Sequence, residues 1–349
     1  MHFSDLPMLS MLPMLPTMGI GSYAAPGWYI AARELIANGR FGSGDIEEAL
    51  ADATRVVVAD QSDAGVDVFS DGELRRQRFV YEMYQHLEGI VRVPSARKLG
   101  ISGYDMAPHF VAGESVTAPR GFGLVDDFRF VRTLLPSAPI KMALPGPLTF
   151  GGSIEAGKRD PAVVLDEIIV AIRTEIEALV SAGVTYLQLD EPLLPHPPYG
   201  LSLDDAAEAI NRCIRDLPIL TAVHVCFGNN AGRPFADRRM GRLVPGVMKL
   251  ECDQLLLEFA NREFADVELL KELSARFHIA AGVIDVKNFH EESPHLVAER
   301  IERCLRHVCA HRLAVTADCG FSALPRHLAK SKLCAMVAGT QLVRDRLGQ

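Results

Sequence analysis

The chain has no apolar run of the roughly 18 residues that a membrane span requires, no basic stripe, and no closely spaced cysteines. The first absence argues against a spanning helix. The second, with a formal net charge of −8, argues against a nucleic-acid surface. Seven cysteines, at positions 213, 226, 252, 304, 309, 319 and 334, form an odd set scattered over the second half. That is no secreted disulfide scaffold, and a reducing cytoplasm is expected. The apolar stretch Met8–Pro16 is interrupted by prolines and preceded by Asp5, which makes a poor signal peptide. No G-x-G-x-x-G or phosphate-binding loop follows the first strand-like run, which disfavours an open nucleotide-binding sheet.

What is present suits a large buried core: 48% hydrophobic and 23% charged residues over 349 positions. Eight short apolar runs alternate with amphipathic segments: 18–21, 66–70, 140–144, 186–189, 220–225, 254–257, 279–283 and 313–316. Among the helical patterns, 161–182 is the cleanest, with Val163, Ile168, Ile172, Ile176 and Leu179 expected near one face and Pro161 in the first turn. Eight such units predict an α/β fold, a single (β/α)8 TIM barrel spanning residues 1–349. Two segments interrupt the repeat. One is an excursion at about 89–125, expected over the barrel mouth. The other is an insertion at about 229–247 that carries Arg233, Arg238, Arg239 and Arg242.

The chemistry lies just beyond the apolar runs, where a parallel barrel gathers its strand C-termini into the active face. These positions hold Ser22, Asp71-Gly-Glu73, Asp190-Glu-Pro192, His224 and Cys226, Glu258, Asp285 and Asp318-Cys319. On an extended strand, residues i and i+2 point the same way, so His224 and Cys226 can share one metal ion, with Cys319 arriving from the last run. Glu258 is a fourth ligand by position; Glu251 and Cys252 just upstream are alternatives. In isolation, the same residues read as buried free thiols and a satisfied core histidine. The acids read as helix caps, or else as an anionic pocket for a protonated amine. Ser22 suits a carboxylate, so together these residues suit an amino acid. Trp28 lies in an aromatic-bearing loop just past Ser22, as a packing anchor or a lining of a donor pocket.

Ile20-Gly-Ser22, Asp71-Gly-Glu73, Gly146-Pro-Leu-Thr149, Gln188-Leu-Asp-Glu-Pro192, His224-Val-Cys226, Glu258, Gly282-Val-Ile-Asp285 and Ala317-Asp-Cys-Gly320 occur in an order that resembles the catalytic half of cobalamin-independent methionine synthase. The similarity runs from about Thr17 to Arg344 and is greatest to the short, single-barrel bacterial relatives. The resemblance implies the UROD/methionine-synthase type of barrel. It also implies a Zn2+ site of His224, Cys226, Glu258 and Cys319. Homocysteine is then held through Ile20, Ser22, Glu73 and Asp190 and methylated on sulfur, with catalytic roles for Asp285 and Lys287.

Two departures bear on the methyl donor. The two-barrel members have an N-terminal half that helps bind folate, and this chain has no counterpart to it. The folate-dependent members place a proton-donating histidine where Lys287 stands, and lysine is the weaker acid, with an ordinary pKa of about 10.4 against 6.5. A corrinoid protein, a smaller methylated thioether or an activated alkyl compound would each fit a free single barrel. Two other readings share the fold: alkyl transfer to a different thiol, as in epoxide:coenzyme M transferases, and a metal-free decarboxylase or binding barrel like the uroporphyrinogen enzymes.

Overall fold

A computed structural model describes residues 11–76, 83–94, 109–229 and 237–349. Nine strands are named in chain order: β1 Glu88–Val93, β2 His109–Thr117, β3 Met142–Pro145, β4 Ile154–Glu155, β5 Tyr186–Asp190, β6 Leu220–Val225, β7 Gln254–Glu258, β8 His278–Ile284 and β9 Leu313–Ala317. Six of them form a parallel sheet in the order β3-β5-β6-β7-β8-β9. Two short segments close the ring. Thr17 bridges Val315 of β9, Met18 bridges Val68, and Phe69 bridges Ile140 just before β3, all in parallel. The eight runs expected from the sequence therefore stand side by side as a closed (β/α)8 barrel.

Strand parity divides the core in two. Met18, Ile20, Val68, Tyr186, Leu220, Ala222, Leu256, Ala280 and Ala314 pack as one cluster inside the ring. Their neighbours Leu187, Leu189, Val223, Val225, Leu255, Leu257, Ile279, Ala281, Leu313 and Val315 belong to a second cluster between the ring and its helices. Since side chains alternate along a strand, the inward parity carried upward from the lower layer reaches Asp190, His224, Glu258 and Gly282 at the strand tips.

The helix Pro161–Ser181 begins as expected, with Asp160 accepting from the Ala162 amide at 2.9 Å and proline in the first turn. Its buried ladder is Val164, Ile168, Ile172, Ile176 and Leu179. Val163, expected on that face, is exposed, because one residue's rotation of the helix turns it away from the ring.

The excursion, in its described part, pairs β1 with β2 antiparallel and β2 with β4 in parallel. That described part leans on helix Pro161–Ser181. There Glu167 accepts from Ser115 Oγ and the Val116 amide, both at 2.8 Å, and pairs with Arg159. The excursion's residues 95–108 lie outside the described residues, as do 230–236 of the arginine-bearing insertion, including Arg233. Among the described residues no helix is long and apolar enough to cross a membrane.

Candidate metal centre and substrate pocket

His224 and Cys226 follow one another on the inward side of the end of β6, and Cys319 follows β9; donor atoms of all three lie within 4.8 Å of one another. The parallel register sets Asp190 directly beside His224. His224 Nδ1 meets Asp190 Oδ1 at 2.8 Å, while its Nε2 is buried with no hydrogen-bond partner. A carboxylate only accepts, so Nδ1 carries the hydrogen and Nε2 is the nitrogen left to meet a metal. An unpartnered buried nitrogen is costly unless something binds it. A metal ion suits it, because a ligating histidine commonly has its other ring nitrogen tied to a carboxylate.

The two thiols form an unequal pair. Cys319 is held down to about 7, first by the hydrogen bond from Cys226, with His224 and Lys287 adding positive charge against the effect of burial. Cys226 is pushed well up, first by that same hydrogen bond and then by burial. One proton is thus shared between two sulfurs, an arrangement from which a soft cation can displace it.

Glu258 ends β7 and is fully buried. It lies outside the group of three, with Oε2 paired to Lys287 Nζ at 2.8 Å and Oε1 without a partner. The alternatives upstream are at the wrong end of the strand. Glu251 pairs with Arg215 at 2.7 Å, and both Glu251 and Cys252 precede Gln254, at the barrel's opposite end from the strand tips. Burial works against the charge of Lys287, but Glu258 outweighs it and holds the ammonium above its ordinary range. Asp285 shapes the loop that carries Lys287: Oδ1 accepts from the Lys287 amide at 2.8 Å, and Asn288 and Asn261 donate to the same carboxylate. The loop is clasped from below by Lys332, fully buried, which donates to the carbonyls of Asp285 and His290 and pairs with Glu292.

Across the mouth, Glu73 is buried with φ at +60° and Oε2 unpartnered. A non-glycine residue in that region is strained by about 1 kcal/mol or more, and such strain gathers at functional positions. Burial first, then the negative charges of Asp190 and Asp71, raise its carboxyl to about 8 despite Arg76 at 3.7 Å. Gly21 permits this placement, since a Cβ there would sit 2.3 Å from Glu73 Oε1. Ser22 is half-buried, and its carbonyl accepts from the Phe321 amide at 2.8 Å, which ties the first strand tip to the loop bearing Cys319. The Ile20 side chain packs inside the ring, so any contact it makes with a ligand comes from its backbone.

Three participants carry no role in the sequence reading. Glu191 accepts from the Leu148 and Thr149 amides at 3.0 Å each, and so anchors the Gly146-Pro-Leu-Thr149 turn. Asp318 binds the Phe259 and Ala260 amides at 2.8 and 3.0 Å, which fixes the chain between Glu258 and Cys319. Lys141, a lone charge within the apolar run 140–144, is fully buried in the ring and donates to Gly19 O at 2.9 Å and to Gln188 Oε1.

A family model described as cobalamin-independent synthase, catalytic domain, matches residues 15–341. The chain is 33% identical over 340 residues to a methionine synthase of Sulfurisphaera tokodaii, covering 96% of this chain and 94% of the relative. It is 31% identical over 342 residues to a methionine synthase of Thermococcus kodakarensis, covering 97% and 96% respectively. Its fold is similar to that of a B12-independent methionine synthase from Shewanella sp. W3-18-1 solved with selenomethionine. The TM-score is 0.80 at 28% identity, over 96% of this chain and 99% of that one.

Proposed function

The chain belongs to the cobalamin-independent methionine synthase family, and from that premise we propose that it transfers a methyl group to the sulfur of homocysteine, giving methionine, at a zinc ion held by His224, Cys226, Cys319 and Glu258. The observation that carries this reading is the bare Nε2 of His224, buried beside two thiols and fixed from behind by Asp190. Nitrogen and sulfur donors in a closed set are what zinc takes, and the free Oε1 of Glu258 supplies the fourth position. When bound, zinc supplies the Lewis acidity that lets a thiol lose its proton near neutral pH.

Glu73 and Asp190 receive the ammonium group of the amino acid. Ser22 and the Ile20 backbone receive its carboxylate. That a relative of the same fold was solved with selenomethionine supports methionine as the product. Asp285 positions the loop of Lys287, and Lys287 keeps its proton for Glu258. The methyl donor is accordingly one whose leaving group departs without needing a proton from Lys287, such as a methylated corrinoid or a sulfonium compound.

The zinc-loaded protein, incubated with homocysteine and each of a methylcorrinoid, a methyl sulfonium and an N-methyl pteridine, should form methionine and contain one zinc per chain. No thiol consumption with any donor would overturn the function. Faster transfer from the pteridine would overturn the part assigned to Lys287.

Gly320 offers a finer check. A Cβ there would lie 1.8 Å from Ser22 Oγ, so Gly320→Ala displaces the carboxylate contact without touching a ligand atom. Losing one hydrogen bond to a charged group costs roughly 1.5–3 kcal/mol of binding. Steady-state kinetics should show KM for homocysteine raised about tenfold or more, with zinc content unchanged.

A further inference from the structure

We propose that Lys141 and Gln188 are positioning residues for the metal centre, the inner links of a hydrogen-bonded chain that fixes which nitrogen of His224 faces the metal. The inference rests on the zinc reading above. Lys141 Nζ, held by Gly19 O at 2.9 Å, donates to Gln188 Oε1. Gln188 Nε2 donates to Asp190 Oδ1 at 2.7 Å, and the same oxygen meets His224 Nδ1 at 2.8 Å. Lys141, Gln188, Asp190 and His224 are all buried; Lys141 immediately precedes β3, Gln188 and Asp190 lie on β5 and His224 on β6, and these three strands are adjacent.

The direction of the chain follows from the donors. As an ammonium Lys141 has only hydrogens to offer, and Asp190 has only lone pairs, so the amide of Gln188 turns its oxygen toward Lys141; burial lowers the Lys141 pKa to about 7, with Asp190 and Glu73 opposing that shift. Its NH2 then faces Asp190. Asp190 is thereby kept as an acceptor, its Oδ1 pulled toward both partners at once, and His224 must supply a hydrogen from Nδ1. The opposite nitrogen is left bare toward Cys226 and Cys319. Without Lys141 only the contact with Asp190 holds the amide in this sense, and the buried Gln188 Oε1 loses its donor. A flipped Gln188 would set its oxygen against Asp190, an arrangement relieved by moving the carboxylate off His224. Partners one shell behind a metal's ligands typically govern 10–100-fold in metal affinity.

Wild-type protein, Lys141→Met and Gln188→Glu are compared for zinc affinity by competition with a chelator. A second readout is the visible spectrum of the cobalt-substituted protein, which reports ligand geometry without turnover. Gln188→Glu keeps the shape and the Lys141 contact but removes the donor aimed at Asp190, so the question stays open if Lys141→Met fails to fold. Glu175→Gln serves as the structural control. Glu175 is buried but remote from the site, and holds the Phe122 and Leu124 amides at 2.9 Å.

The expected result is a 10–100-fold loss of zinc affinity and a shifted cobalt spectrum in both chain variants, with neither change in Glu175→Gln. Wild-type affinity and spectrum in the folded variants overturn the inference and leave the zinc reading standing. An equal loss in Glu175→Gln also overturns it, since general loosening would then explain the effect. A wild-type protein that binds neither metal overturns both.

Discussion

Cys226→Ser and Cys319→Ser are each expected to come off purification with little zinc and to methylate homocysteine at no more than about a thousandth of the wild-type rate, a loss of roughly 4 kcal/mol in transition-state stabilisation. Serine is nearly isosteric, so the ring around it has no reason to collapse. Its hydroxyl does not ionise near neutral pH, and hard oxygen is a poor exchange for soft thiolate at a site of this composition. The two substitutions should differ in detail. The Cys319 thiol is the one held below its ordinary range, first by the hydrogen bond from Cys226, so its loss removes the more readily ionised of the two sulfurs. The loss of Cys226 removes the hydrogen bond that holds Cys319 low. Elemental analysis with a methionine-formation assay checks both, and full zinc occupancy in either variant would remove that cysteine from the ligand set.

Glu73→Gln should separate substrate binding from metal binding. Glu73 is not among the His224, Cys226 and Cys319 donor group, so zinc content is expected to stay at the wild-type level. KM for homocysteine should rise about 30–100-fold, the roughly 2–3 kcal/mol of a charge-assisted hydrogen bond in a buried site. The wild-type protein carries a matching pH signature. With the carboxyl raised to about 8 by burial, most molecules at pH 7 must release a proton before Glu73 can meet an ammonium. Homocysteine affinity should therefore increase as pH rises toward 8, by up to tenfold per unit, and titration calorimetry in buffers of different ionisation heat should register the proton released. Glu73→Gln should remove the share of this slope that Glu73 contributes, leaving the share from the thiol proton lost at zinc. Asp190→Asn tests the same pocket but cannot be so selective, because Asp190 also holds His224. It should weaken both homocysteine and zinc. If Glu73→Gln leaves thiol affinity unchanged, the amino-acid pocket is wrong, and alkyl transfer to another thiol becomes the better reading.

Much of this architecture was legible in the sequence because the barrel writes itself as alternation. All the apolar runs but 140–144 have a polar residue or a cysteine within two residues of their end, and period-two parity carries Asp190, His224 and Cys226 to the inner face without knowledge of any contact. The chain from Lys141 through Gln188 was not legible, because it depends on lateral register between β3 and β5, which no local pattern encodes. Its one trace was a charge within the run 140–144. Glu191 was hidden by its neighbour: in Asp190-Glu-Pro192 both acids look alike, yet one faces the site and the other turns outward to bind the amides of Leu148 and Thr149. Of the fourth-ligand alternatives, Glu258 ends β7 at the strand tips, while Glu251 and Cys252 lie before the strand begins. Val163 was misplaced by a single residue's helical rotation, an error that leaves the existence of the helix untouched.

The ring is not equally strong all the way round. Six of its staves overlap along their length, but the two nearest the N-terminus are joined to their neighbours by isolated bridges at Thr17, Met18 and Phe69. A single carboxylate, Asp67, rivets this seam by binding the Thr17 amide and Arg344 of the C-terminal helix at 2.7 and 2.6 Å. The loops issuing from these two weak staves deliver Ser22 and Glu73. An amino acid gripped by both would act as a hoop around the loosest part of the cask, so that occupancy tightens the wall that grips it.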